Sequence, residues 1–86
     1  MSFEIEKFKK KLVYRSQYRG TKEMDKLIGS FVQNCINDLN LKELNQLEEF
    51  LNIDDDTLYK FYNNQISDDS IIDNKIKTLF KTFIFK

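Results

Sequence analysis

The sequence predicts an all-α fold, a compact five-helix bundle in a single domain over residues 1–86, and three observations carry that expectation. Apolar residues recur at the three- and four-residue spacing of a helix face in five successive stretches. No stretch shows the sustained apolar/polar alternation of a half-buried strand, and there is no proline, internal repeat or linker to divide the chain. With 86 residues, a single cysteine and no histidine, the chain has no disulfide or metal staple, so helix packing must hold it together.

In the first helix, expected from about Phe3 to Gln17, Ile5, Phe8 and Leu12 mark one face and Lys7, Lys9, Lys10 and Lys11 surround the rest as a solvated face. Met24, Leu27, Ile28, Phe31, Cys35 and Ile36 form the stripe of a second helix, from about Lys22 to Asn37, with Thr21 as its N-cap. Cys35 reads as a small core residue. Gly29 costs about 1 kcal/mol against alanine inside a helix, which a close helix crossing would explain.

Asn40 followed by Glu43 resembles a capping box, and Leu41, Leu44, Leu47 and Leu51 continue as the stripe of a third helix over Leu41–Leu51. The run Asp54-Asp55-Asp56 invites a calcium reading, but an EF-hand loop starting at Asp54 would need Gly and Glu where Tyr59 and Gln65 stand. Capping of a short fourth helix, Asp56 to Asn63, is the better account, with Asp55 as the cap. Leu58, Phe61 and Tyr62 give it an aromatic core face, and Asn63-Asn64 ends it. After an Asp68-Asp69-Ser70 capping segment, Ile72, Ile76, Leu79, Phe80 and Phe83 define a fifth helix running to near the terminus. Ile84 and Phe85 widen its stripe and are expected to be buried against the first helix, the other reading being an apolar tail that meets a partner.

Formal charge balances at 14 basic and 14 acidic residues but is spread unevenly. Residues 1–26 carry eight basic and four acidic groups, whereas residues 38–56 carry seven acidic groups and Lys42 as the one cation. That polarity suits an oriented protein partner better than nucleic acid, whose ligands show a net basic surface. Lysines interrupt every apolar run well short of the roughly 18 residues of a membrane span, so a soluble protein is expected, without a membrane partner. Met1 leads almost at once into the first helical pattern, which leaves no room for a signal or transit peptide, and the lone thiol suits a reducing bacterial cytoplasm.

The stretch Arg15 to Asp25 holds both arginines and one of the two glycines, between two segments of clear helical periodicity. It is therefore expected to be a corner. Gly20 can take positive φ and end the first helix as its C′ residue, and Arg19 offers a planar fork among cations that are otherwise nearly all lysine. Glu23 then falls in the first turn of the second helix, where the dipole favours a carboxylate, and would converge with Arg19 on one surface. From the residues alone, the two readings stand level: a recognition corner, or a helix stop beside an ordinary exposed ion pair contributing roughly 0.2 to 1 kcal/mol.

A resemblance decides between them. Arg19-Gly20-Thr21-Lys22-Glu23-Met24-Asp25, followed by Phe31, resembles the Arg-Gly-x-x-Glu-(apolar)-Asp signature of the SdhE family, small FAD assembly factors of succinate dehydrogenase. Leu51 to Phe61 is similar to that family's later Leu-x-x-Asp-Asp-Pro-Asp-Leu-(aromatic)-x-Trp segment, and the two motifs lie in register within a match from about Lys7 to Ile66. Tyr18 stands where many members carry a second arginine, Asp56 where they carry proline, and Phe61 where they carry tryptophan.

The resemblance implies the same helical bundle and a helper that binds the flavoprotein subunit of succinate dehydrogenase, or in some bacteria fumarate reductase, and promotes attachment of FAD to a histidine there. FAD then belongs to the client, with none held stably by this chain. Arg19, Gly20 and Glu23 become the partner-binding residues, with Arg15, Tyr18, Thr21 and Asp25 as a rim. A monomer when free and a 1:1 complex with the client are expected. Catalysis by this chain is not expected, since it lacks a histidine base, a metal-ligand cluster and a glycine-rich phosphate loop. A rival of another class is a regulatory or nucleic-acid-binding module using the basic face of the first helix, which would require binding that weakens steeply with salt.

Overall fold

A computed structural model describes residues 3–67 and 74–84. Among these the chain forms five α-helices: α1 Phe3–Ser16, α2 Lys22–Cys35, α3 Leu41–Leu51, α4 Asp55–Tyr62 and α5 Lys75–Thr82. A single 3-10 turn, Ile36–Asp38, prolongs α2, and no strand is present among the described residues. The expected all-α bundle is the observed one.

Short polar side chains start four of the helices by accepting amides that have no partner within the helix. Thr21 Oγ1 accepts from the Met24 amide at 3.2 Å, and Asn74 Oδ1 accepts from the Lys77 amide at 2.9 Å. Asn40 and Glu43 form a reciprocal capping box with bonds of 2.8 and 3.0 Å. Asp54, rather than Asp55, caps α4, accepting from the Thr57 amide at 3.1 Å and its hydroxyl at 2.7 Å. These two donors, the hydroxyl first and the amide second, hold the Asp54 carboxyl below its ordinary value. The Asp68-Asp69-Ser70 segment and Ile72 lie outside the described residues.

The termination of α4 follows from Asn64, which sits at φ 60° in the left-handed region. There the Asn64 amide bonds the Phe61 carbonyl at 3.1 Å and the Gln65 amide reaches back to Lys60 at 2.8 Å, the two-bond pattern that closes a helix end.

The core is built mainly from the expected stripes, joined by Val32, Leu39 and Phe50, while Ile5, Phe8, Leu79 and Phe83 are only partly buried. Leu12 of α1, Met24, Leu27, Ile28, Phe31 and Cys35 of α2, Leu44, Leu47, Phe50 and Leu51 of α3, Leu58 and Phe61 of α4, and Ile76 and Phe80 of α5 are all buried. Leu41 is exposed, because it stands in the first turn of α3, beyond the edge of the core. Phe80 is the hub of an aromatic cluster, with ring centroids 5.1 Å from Phe31, 5.1 Å from Phe50 and 5.0 Å from Tyr62. Each such pair adds about 0.5 to 1.5 kcal/mol beyond the burial of its area. Cys35 is buried within this core as a free thiol, its pKa pushed up to about 11, first by burial and then by the charge of Asp38.

Gly29 marks the crossing of α1 over α2. A Cβ placed there would lie 3.3 Å from Gln17 Cγ, slightly tight, and at ordinary contact, 3.7 Å, from the Ser16 carbonyl oxygen, so the end of α1 passes close over this glycine. At the other end of the chain, α5 stops at Thr82 and Phe83 turns to extended backbone, its ring edge-on to Phe31 at 5.5 Å and its carbonyl accepting the Tyr62 hydroxyl at 2.7 Å. With Phe83 turned inward on extended backbone, Ile84 emerges into solvent at 74% exposure, which corrects the expectation of its burial. Phe85 lies outside the described residues.

Candidate functional site

The connection between α1 and α2 is the corner expected from the sequence, with a different internal geometry. Helix α1 ends at Ser16, so Gly20 is not its C′ residue but lies in the turn that follows, at φ 128°, a conformation L side chains rarely adopt. The first turn of α2 fixes this loop. Asp25 accepts a hydrogen bond from the Arg19 backbone amide, and Thr21 both caps α2 and accepts the Asp25 amide at 2.9 Å.

The side chain of Arg19 runs the other way, toward the turn between α3 and α4. Its Nε donates to Asp55 Oδ1 at 2.7 Å, one terminal nitrogen donates to the Leu51 carbonyl at 2.6 Å, and the other donates to the Ile53 carbonyl. The last carbonyls of α3 have no partner within that helix and lie at the negative end of its dipole, so a planar cation with several donors is well matched to them. Arg15 adds a second tie to the same turn, donating to Asn52 Oδ1 at 2.7 Å. The carboxylate that bonds Arg19 is therefore Asp55, 36 positions away in the chain, rather than Glu23.

The side chain of Arg19 is only 9% exposed. Gly20, Thr21 and Glu23 are exposed beside it, and Arg15 and Asp25 are half-buried. Tyr18 is 67% exposed and its ring lies 4.6 Å from that of Tyr14, also exposed. The corner thus brings the predicted residues together in two layers, bonded residues beneath and Gly20, Thr21 and Glu23 above.

Two open depressions adjoin the exposed layer. One is a cleft of about 290 Å³ lined by Thr21, Glu23, Met24, Asp55, Asp56 and Tyr59. The other, of about 250 Å³, runs on between α2 and α4 past Glu23, Leu27, Tyr59 and Tyr62. Asp55 and Tyr59 belong to this surface although neither was singled out as a site residue. Their signal was present in the second motif, Leu51 to Phe61, which the fold lays directly against the first. Asp55 Oδ2 lies 3.8 Å from where a Cβ on Gly20 would stand.

A family model described as the flavinator of succinate dehydrogenase, Sdh5, matches residues 10–83, a span that includes both the corner and the α3–α4 turn. The chain belongs to the Sdh5 family. No curated relative and no solved structure gives a significant match. The Sdh5 assignment agrees with the resemblance carried by the two motifs, and makes the chain an assembly factor of succinate dehydrogenase by family. Among the described residues of this Sdh5 member, no helix is long and apolar enough to cross a membrane.

Proposed function

We propose that this chain binds the flavoprotein subunit of succinate dehydrogenase and promotes covalent attachment of FAD to a histidine of that subunit, docking through the corner of Arg19, Gly20 and Glu23. The observation that carries the reading is Gly20 itself, an exposed stretch of bare backbone at φ 128°, next in the chain to Thr21 of the cleft and 3.8 Å, at a Cβ position, from its Asp55. A partner backbone can approach such a position more closely than any side chain would allow.

The chain contains no histidine, so the nucleophile is the client's, as is the flavin. The helper contributes positioning, holding the client in the arrangement in which its histidine and FAD meet, and such positioning can lower a barrier by several kcal/mol. Glu23 bonds a client donor, Thr21 and Tyr18 form the rim, and Arg15, Arg19 and Asp25 support the surface from beneath. The free chain is a monomer and binds its client 1:1.

Co-expression of the flavoprotein subunit with and without this chain tests the reading, scoring flavin that survives denaturation. Covalent flavin is expected to depend on the chain, and to be lost with Gly20→Arg while the far-UV CD of the helices is kept. Normal covalent flavin with that variant, and a complex that still co-purifies, would end the assignment of the corner.

A further inference from the structure

We infer that Arg19 and Asp55 are positioning residues acting as one unit: their bond joins the α1–α2 corner to the α3–α4 turn and so builds the recognition face from both. The inference rests on the docking role proposed above and adds to it which pair shapes the face, Arg19 from beneath and Asp55 from the wall of the cleft. Three observations support it.

First, Arg19 is bonded in both directions. Its backbone amide is held by Asp25 of α2, while its fork donates to Asp55, Leu51 and Ile53 around the end of α3 and the start of α4. With the side chain only 9% exposed, the guanidinium faces the chain rather than a partner. Second, Asp55 has two distinct oxygens in play. Oδ1 accepts from Arg19, and Oδ2 stands 3.8 Å from the position a Cβ on Gly20 would take, so the carboxylate closes the space beneath the glycine. Third, one cleft is lined from both segments, by Thr21, Glu23 and Met24 on one side and Asp55, Asp56 and Tyr59 on the other. Neither segment has this surface alone.

The unit makes the docking-competent arrangement the populated one. If the bond is removed, the helices remain but the face is assembled for only part of the time, and apparent affinity falls by that fraction. The saturated effect on the client is then unchanged, because every bound helper has the assembled face.

The test measures the initial rate of covalent flavin formation on the purified apo-flavoprotein subunit with FAD, as a function of helper concentration, for wild type, Arg19→Gln, Asp55→Ala, the double variant and Asp55→Asn. Each of the first two variants is expected to raise the half-saturating concentration roughly tenfold with the saturated rate kept, provided CD shows the helices intact. The double variant is expected to stay within about twofold of the worse single, since both remove the same bond. Asp55→Asn keeps an acceptor for Nε and is expected to return to within about threefold of wild type.

In the free chain, amide exchange at position 19 should quicken in Arg19→Gln and Asp55→Ala while the core amides of α2 and α3 hold. Additive losses, roughly hundredfold in the double variant, or a lowered saturated rate would overturn the inference and place both side chains against the client. Unaltered exchange at position 19 would overturn it as well. If wild type itself gives no stimulation, the proposed function fails, and the exchange measurement still judges the unit.

Discussion

The ring cluster around Phe80 and the corner around Arg19 lie in one small molecule and are held by different physics. Around Phe80 of α5, rings from α2, α3 and α4 are in contact, and the stabilisation comes from area removed from water. Around Arg19, one side chain satisfies two backbone carbonyls and one carboxylate, and the stabilisation depends on direction. A core of the first kind tolerates exchange among apolar residues of similar volume, whereas a corner of the second kind loses its geometry when a single donor is misplaced. On the proposed function, the docking surface then depends on a few directional bonds, and the scaffold beneath it on apolar volume.

The sharpest way to break the contrast is to cut each region at its hub. Phe80→Ala should destabilise the whole fold by about 3 to 5 kcal/mol, read as a lower urea midpoint, because it opens a cavity among Phe31, Phe50 and Tyr62. An effect below about 1 kcal/mol would mean the cluster is not the centre of stability. Arg19→Lys should cost less, about 2 kcal/mol, since a point charge with one nitrogen cannot serve three acceptors. It should nevertheless reduce flavin attachment far more than Phe80→Leu, measured below the melting temperature of both. Equal losses for the two would erase the distinction.

Smaller effects sharpen it further. Gly20→Ala should lower stability by about 1 to 2 kcal/mol through backbone strain at positive φ, with no cavity and no change in the aromatic near-UV CD. The smallest expected effect is on acid stability. The Asp54 carboxyl is held below its free value of 3.8, first by the Thr57 hydroxyl, and the Glu43 carboxyl below 4.5, first by the Asn40 amide and then by Lys75. A carboxyl whose folded pKa is depressed adds stability that is complete above the unfolded value and is lost as pH falls through the folded one. The urea midpoint of wild type should therefore exceed that of Asp54→Asn and Glu43→Gln above pH 4.5, and the difference should shrink at lower pH. A difference that grows on acidification would contradict these bonds.

How far the sequence could be read follows the same division. The periodic stripes gave the five helices and nearly every buried residue, because burial of a helix face leaves a repeat in the chain, as in Met24, Leu27, Ile28 and Phe31. The glycine at position 20 and the family motif marked the corner. What the residues could not show was the destination of Arg19, since two of its acceptors are the carbonyls of Leu51 and Ile53, and a backbone oxygen carries no side-chain signature. The run of three aspartates hid its division of labour for a related reason. Asp54 became the cap and Asp55 the arginine's partner because of one residue's difference in where α4 starts, which lies within the reach of no propensity rule. Ile84 was misplaced because the apolar pattern continues past the point where the backbone of Phe83 leaves the helix.

The hydrogen bonds of Arg19 to Leu51 and Ile53 have one last implication, for transplantation. A peptide carrying only Arg15 to Asp25, or the seven-residue signature Arg19 to Asp25 grafted onto an unrelated helical hairpin, would bring the right letters without the oxygens that give them shape. Portability would require importing the Leu51–Asp55 bend as well, so the smallest transferable unit of this helper is a pair of segments rather than a word.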